Sequence, residues 1–327
     1  MSRVLIIGGG GMVGQKLAAR LLNEGLPGHS EPDITLFDVA FPPNGVVGAT
    51  HKTGNLSRPG VARDLVSERP DFIFHLAAIV SGEAETDFTK GWDINMMSMW
   101  HLLEAFRNAH DTSGGSYVPK VVFTSSIAVF GGPFPDKIDD EFLSAPQTSY
   151  GAQKAISELM LSDFSRKGFV DGLSLRLPTI CVRPGKANLA ASSFFSGIIR
   201  EPLNGKEAIL PVESSVRHWH ASPRSAAGFL VHAAGLDTAR LEGRRALNLP
   251  GLSCTVEEQI EALRRIAGQG VVDRIKVKHD PDIIRIVQGW PRDFDPARAV
   301  SLGFSAESSF DDIIQTYIAE DLSNVSA

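Results

Sequence analysis

Cysteine is scarce. Cys181 and Cys254 are the only two in 327 residues, and they do not form a metal-type spacing. So little cysteine leads us to expect a reduced, cytoplasmic protein with no bound metal. Basic charge is not in excess either: 32 lysines and arginines stand against 38 aspartates and glutamates, a formal net charge of −6. No run of lysines or arginines occurs, so there is no nucleic-acid footprint and no nucleic-acid partner is expected. Long apolar runs are also missing. The opening Val4-Leu5-Ile6-Ile7 is far too short for a secretory signal or a membrane span, and no membrane association is expected. Neither an internal repeat nor a low-complexity tract is present.

Hydrophobic residues make up 43% of the chain, enough for a sizeable core. The length suits one large domain with a smaller appendage, or two domains. Strand-like apolar segments at 4–7, 34–37, 72–76, 121–124 and 173–177 alternate with helix-like ones. Between the first two, Val13, Leu17 and Leu21 recur at four-residue spacing, and Gly25 offers a helix stop. Such alternation predicts an α/β fold, a doubly wound parallel sheet with helices on both faces. Beyond about residue 183 prolines loosen the pattern, and amphipathic segments return at 256–266 and 310–318. The expected division is a dinucleotide-binding domain over 1–180, rejoined by about 216–238, and a smaller C-terminal substrate-binding cap from 181–215 and 239–327.

The glycine run Gly8-Gly9-Gly10-Gly11-Met12-Val13-Gly14 follows the first strand and opens the first helix. Gly9, Gly11 and Gly14 fit one dinucleotide spacing; Gly8, Gly11 and Gly14 fit another. In both, backbone N–H groups and the helix dipole face a pyrophosphate, the Rossmann arrangement. Asp38 ends the second strand, where a carboxylate accepts from the ribose hydroxyls of NAD and repels the extra phosphate of NADP. Asn55, Leu56, Leu76, Ala77 and Ala78 end later segments of the sheet and are candidates to line the cofactor. His75 reads as a satisfied histidine at a strand end rather than a catalytic one.

Tyr150 and Lys154 lie four residues apart on a helix predicted over 150–160, whose apolar side carries Ile156, Leu159 and Met160. They share a face. The lysine can bind the nicotinamide ribose and favour tyrosinate. A free tyrosine titrates at about 10, and the lysine and the positive nicotinamide together would lower that enough to make a base. Val121-Val122-Phe123-Thr124-Ser125-Ser126 is a buried strand ending in hydroxyls, one of which, Ser126, can hold the reacting oxygen. Together the three motifs predict an alcohol/carbonyl redox site acting with NAD.

These residues carry a resemblance to the extended short-chain dehydrogenase/reductase family, which includes the NAD-dependent epimerase/dehydratase group. It covers nearly the whole length: residues 8–14, Asp38, 75–78, Asn95 in Asp93-Ile94-Asn95, 125–131, 150–154 and 176–185, then Asp295-Pro296-Ala297-Arg298-Ala299 and Leu302-Gly303-Phe304. The family's catalytic serine or threonine, tyrosine and lysine fall on Ser126, Tyr150 and Lys154. The resemblance also implies cofactor contacts at Met12, Val13, Asn95 and Pro178.

Phe123-Thr124-Ser125-Ser126-Ile127-Ala128-Val129-Phe130-Gly131, Leu177-Pro178-Thr179-Ile180-Cys181-Val182-Arg183-Pro184-Gly185 and Arg217-His218-Trp219-His220-Ala221-Ser222-Pro223-Arg224 look like a branch acting on aldonates. That implies NAD-dependent oxidation of a four-carbon sugar acid, D-erythronate, at C2 to 2-oxo-D-erythronate. Thr179 stands where sugar-nucleotide enzymes of the group often have asparagine, and Arg183 departs from their usual Val-Tyr-Gly-Pro. The alternatives are a sugar-nucleotide epimerase or dehydratase, and a non-catalytic NAD-binding sensor.

An aldonate carboxylate needs a fixed donor, and Arg183 or Arg217 is the expected one, with His218, His220 or backbone N–H groups next in line. Ser126, Tyr150, Thr179, Arg183 and Arg217 form the expected substrate set. A homodimer is expected through the tyrosine-bearing helix and a second helix near 96–106, where Met97, Trp100 and Leu103 are apolar.

Overall fold

The computed structural model describes residues 1–29, 31–185 and 190–322. Every expected strand is present, as β1 (Arg3–Ile7), β2 (Asp33–Asp38), β4 (Phe72–His75), β5 (Lys120–Ser126) and β6 (Asp171–Leu177), with an additional β3 (Thr50–Thr53). With the short strand Ala246–Asn248 they form a seven-stranded sheet in the order Ala246–Asn248, β6, β5, β4, β1, β2, β3. The pairs β3/β2, β2/β1, β1/β4 and β4/β5 all run parallel. The strand order reverses between β1 and β4, which defines a topological switch point at their carboxyl ends.

Helices α1 (Met12–Glu24), α2 (Val61–Ser67), α3 (Ser81–Thr86), α4 (Phe88–Trp92), α5 (Ser98–Thr112) and α6 (Ser149–Arg166) lie between these strands. On one face of the sheet Leu5, Ile7, Ile73, Val121 and Phe123 pack with Leu65 of α2, Leu102, Leu103 and Phe106 of α5, and Leu161 of α6. The alternate residues Val4, Ile6, Leu36 and Phe74 are equally buried, as strands covered on both faces require.

β3 has the sequence Thr-His-Lys-Thr, is largely exposed and lies at the sheet edge. It has no apolar alternation to betray it, and it exists because β2 offers an open ladder.

A second departure concerns α6. Leu159, on the side expected to be apolar, is 71% exposed, and the buried side carries Gln153, Lys154, Ser157 and Glu158. Distant segments bond each of these four side chains, although Gln153 Nε2 itself has no partner among the described residues, and this polar network takes the buried side in place of the hydrophobic pattern.

The chain divides into two compact units. One comprises Met1–Val129, Pro146–Arg176 and Ala227–Leu247; the other comprises Phe130–Ala145, Leu177–Ala226 and Asn248–Ala327. The second unit has its own core, in which Phe195 and Ile198 of the helix Ser193–Leu203 meet Leu263 of Val256–Ala267 and Ile313 of Phe310–Tyr317. The last two helices are the expected amphipathic segments. A capping box between Thr255 and Glu258 starts the former. Beside this core, Leu252–Thr255 pairs antiparallel with Arg217–Ala221, which pairs in parallel with Thr179–Ile180. Among the described residues no helix is long and apolar enough to cross a membrane.

Candidate active site

The glycine loop joins β1 to α1 at the switch point. Gly8 has φ +88°, and a Cβ there would lie 2.6 Å from the nitrogen of Ala77. At Gly10 a Cβ would lie 2.0 Å from the Ala40 carbonyl oxygen, and at Gly14 2.4 Å from that of Gly8. Close backbone packing therefore requires these three glycines. Gly11 is different. It is exposed, caps α1 without any side-chain bond, and a Cβ there would meet nothing nearer than the Gly8 carbonyl at 3.4 Å. The protein's own packing does not demand a glycine at this point. The open space at the helix N-terminus leaves room for a ligand, so the loop fits the pyrophosphate of a dinucleotide. Met12 and Val13, half-buried, form the first turn behind it.

Asp38 is half-buried at the end of β2. Its carboxylate accepts from the Gly10 N–H at 2.9 Å and the Val39 N–H at 2.7 Å, tying the glycine loop to the strand end. Leu76, Ala77 and Ala78 follow β4, and the Leu76 and Ala77 N–H groups bond the Ile7 carbonyl. Asn55 accepts from the N–H and hydroxyl of Ser57 in a local turn, and Leu56 is buried in the core. His75 does not have the satisfied environment expected of it. It is buried, and neither ring nitrogen has a hydrogen-bond partner among the described residues. Desolvation, aided by the charge of Lys154, pushes its pKa down to about 3, so the ring is neutral.

Ser126 ends β5, and its hydroxyl accepts from the Ala128 N–H at 3.1 Å. The next element in chain order carrying site residues is α6. Its N-cap is Thr148, whose hydroxyl accepts from the Gly151 N–H. A Cβ on Gly151 would lie 2.2 Å from the Ala128 carbonyl oxygen. The glycine after Tyr150 thus lets the first turn of α6 seat directly on the backbone two residues beyond Ser126, and the sequence reading assigned it no role. Lys154 is fully buried; its ammonium donates to the Thr124 carbonyl at 2.7 Å and lies 5.7 Å from the centre of the Tyr150 ring. Tyrosine and lysine share a face, as their spacing requires. Burial lowers the Lys154 pKa to about 7, and Glu158, one turn further along, opposes that shift.

Glu158 was missed, although the spacing 150, 154, 158 already placed it on the same face. It is buried, accepts from the Ser125 hydroxyl at 2.5 Å, and pairs with Arg176 of β6 at 2.7 Å. This clamps α6 to the sheet and occupies Ser125, so the two adjacent serines have different work. Asn95 lies in a π-turn (Asp93–Met97) between α4 and α5, a feature that recurs at functional sites. Its amide bonds the backbone of Ile79 and the side chain of Gln153, and its carbonyl accepts from Ser157. The residue fixes α6 to the segment following Ala78.

The remaining expected residues belong to the second unit. Pro178 is buried. Arg183 donates to the Ile180 carbonyl at 3.0 Å and the Ser192 hydroxyl at 2.9 Å. Arg217 donates to the Ser253 carbonyl and pairs with Glu258 at 3.3 Å, with 38% of its side chain exposed. Thr179 is half-buried and bonds His218 at 2.7 Å. His218 and His220 are buried, and desolvation lowers both pKa values, that of His218 to about 4.

Residues 4–222 match the model of the NAD dependent epimerase/dehydratase family. The D-erythronate dehydrogenase of Cupriavidus necator is 47% identical over 324 residues, covering 97% of this chain and 98% of that protein. Its namesake from Haemophilus influenzae is 42% identical over 324 residues, covering 98% and 100%. A solved structure described as the nucleoside-diphosphate-sugar epimerase from Agrobacterium tumefaciens superposes with a TM-score of 0.94 at 54% identity, over 98% of this chain and 95% of that one.

Proposed function

The chain belongs to the NAD-dependent epimerase/dehydratase family and is an NAD-dependent dehydrogenase, and from that premise we propose that it oxidises D-erythronate at C2 to 2-oxo-D-erythronate. The observation that carries this reading is the near-full-length likeness to two proteins bearing the name D-erythronate dehydrogenase. The clustering of Ser126, Tyr150 and Lys154 around β5 and α6 supports it.

The loop at 8–14, Asp38, the segment 76–78 and Lys154 are the groups proposed to hold NAD+. When bound, NAD+ supplies the acceptor for the hydride that leaves C2. Tyr150 takes the proton of the C2 hydroxyl, Ser126 holds that oxygen, and the Lys154 ammonium stabilises the phenolate. We assign dinucleotide binding to the first unit and substrate selection to the second. The two free, buried cysteines suit a reducing compartment, and we assign the protein to the cytoplasm.

A second reading, a sugar-nucleotide epimerase, is favoured by the description of the Agrobacterium structure. One assay separates the two. The protein is mixed with NAD+ and either four-carbon sugar acids or UDP- and dTDP-sugars. NADH accumulating with D-erythronate supports the dehydrogenase. Sugar interconversion without net NADH ends that reading.

Asp38 is expected to make NAD the preferred cofactor, since its carboxylate and a 2′-phosphate repel one another. Asp38→Ala should narrow the preference measured as a ratio of kcat/KM values. Equal use of NAD and NADP by the native enzyme would refute the role.

The substrate carboxylate is proposed to bind Arg183 or Arg217. Arg217 already pairs with the anionic Glu258, which a substrate carboxylate would have to displace, whereas Arg183 donates to the uncharged Ile180 carbonyl and Ser192 hydroxyl, so Arg183→Ala is the first variant to make. Its KM for the acid should rise about tenfold or more, the scale of a lost charge-assisted hydrogen bond, with NAD affinity unchanged. An unaltered KM in both single variants and the double variant places the carboxylate elsewhere.

We further propose a homodimer through α5 and α6. Leu103 is spent on the core, but Trp100 is 41% and Leu159 71% exposed, an apolar pair on the two helices. A monomeric mass in sedimentation would end that proposal.

A further inference from the structure

Thr179 and His218 lie on neighbouring strands of the second unit's three-stranded sheet. The imidazole of His218 has two partners. Nδ1 lies 3.0 Å from the carbonyl oxygen of Pro291, and Nε2 lies 2.7 Å from the hydroxyl oxygen of Thr179. A carbonyl oxygen can only accept, so Nδ1 must carry the hydrogen. The ring is fully buried and neutral, with its pKa pushed down to about 4 by desolvation. Nε2 is therefore bare and must accept, and the hydrogen it accepts is that of the Thr179 hydroxyl. Rotation of the ring is opposed on several sides. Phe195 stacks on it at 5.2 Å with a 6° interplanar angle, Trp290 lies 5.2 Å away, and His220 meets it edge-on at 5.3 Å.

The consequence falls on Thr179. A free threonine hydroxyl can donate or accept, but here its one hydrogen is committed inward, and only lone pairs remain to face outward from a half-buried position. We propose that Thr179 is a one-way contact, polarised by His218 and Pro291, that accepts a hydrogen from a hydroxyl of the sugar acid and disfavours its carboxylate. This rests on the aldonate reading above and narrows it. Thr179 then selects a hydroxyl other than the one oxidised, and the carboxylate must lie elsewhere. His218 is a positioning residue, acting through Thr179.

The first test needs no substrate. With histidine labelled in its ring nitrogens, NMR of the whole protein should show His218 with a protonated Nδ1 and a bare Nε2 from pH 5 to 9. A protonated Nε2, or a cationic ring at pH 6, overturns the proposal.

The second test uses D-erythronate beside its 3-deoxy-3-fluoro and 4-deoxy-4-fluoro analogues, in which fluorine can accept weakly but never donate. One analogue should lose about five- to tenfold in kcat/KM with the native enzyme, the worth of one neutral hydrogen bond. The loss should vanish in Thr179→Val. It should shrink in His218→Asn, which keeps a donor for Pro291 but frees the threonine hydrogen to turn outward. It should persist in His218→Gln, which restores an acceptor near the Nε2 position. An equal penalty in the native enzyme and Thr179→Val, for both analogues, overturns the proposal. Thr179→Val is isosteric, so the test holds even where a His218 variant fails to fold. Failure of the native protein to oxidise any aldonate refutes the dehydrogenase reading and the ligand assigned to Thr179, while the polarity itself stands or falls by the NMR result.

Discussion

Tyr150→Phe is expected to lower kcat for the sugar acid by about 10²–10⁴, the usual contribution of a positioned base. The substitution keeps the ring. It leaves the Thr148 cap, the seat of Gly151 on Ala128 and the Lys154–Thr124 bond untouched. Stability and NAD affinity should therefore stay near native values, measured by urea unfolding and by cofactor titration. What disappears is the only group proposed to take the C2 hydroxyl proton. Ser126 cannot substitute, because its hydroxyl, which accepts from the Ala128 N–H, is a far weaker base than a phenolate. A variant turning over within threefold of native would show that Tyr150 is not the base. A variant that is inactive but also unable to bind NAD would point to a collapsed cofactor site instead.

How much of this was legible beforehand depends on how local each determinant is. β1, the glycine loop and Asp38 are legible because the strand, the turn and the charge lie within one short βαβ segment. The Tyr150–Lys154 pair is legible because helix geometry alone puts residues four apart on one face. The burial of α6 was not legible. A hydrophobic count points Leu159 inward, yet Gln153, Ser157 and Glu158 are buried because Asn95, Ser125 and Arg176 meet them from three other elements. Pairing of that kind has no signature in a window of sequence. The polarity of Thr179 is further out of reach, since it is fixed by His218 and by Pro291, 73 residues beyond the histidine. β3 was missed for the opposite reason: its four polar residues carry no pattern at all, and only its neighbour makes it a strand.

Lys154 gives the second large effect, and here activity and stability are expected to move in opposite directions. The side chain is buried, and its pKa falls from the ordinary lysine value of 10.5 to about 7, chiefly through desolvation and despite Glu158. Between those two values the unfolded chain binds a proton that the folded protein binds only partly. Stability of the cofactor-free protein should therefore rise with pH across that window, and the full penalty of burying the charge applies below about pH 7. The shift corresponds to roughly 5 kcal/mol at most, at about 1.4 kcal/mol per pKa unit. Lys154→Met removes this penalty but leaves the Thr124 carbonyl without its donor, a loss of about 1–3 kcal/mol. The variant should thus be more stable than the native protein at pH 6 by about 1–3 kcal/mol, in line with other replacements of buried charge by apolar groups. Its advantage should shrink as pH approaches 10, where the native lysine is neutral in the fold. Turnover should meanwhile fall by at least about 10², because the phenolate loses its counter-charge. Paired urea titrations at pH 6, 8 and 10 read the effect as the difference between the two proteins. A variant less stable than native at pH 6, with a parallel pH dependence, would mean that Lys154 is held charged in the fold at little cost, and that the surrounding carbonyls and Glu158 solvate it better than its burial implies.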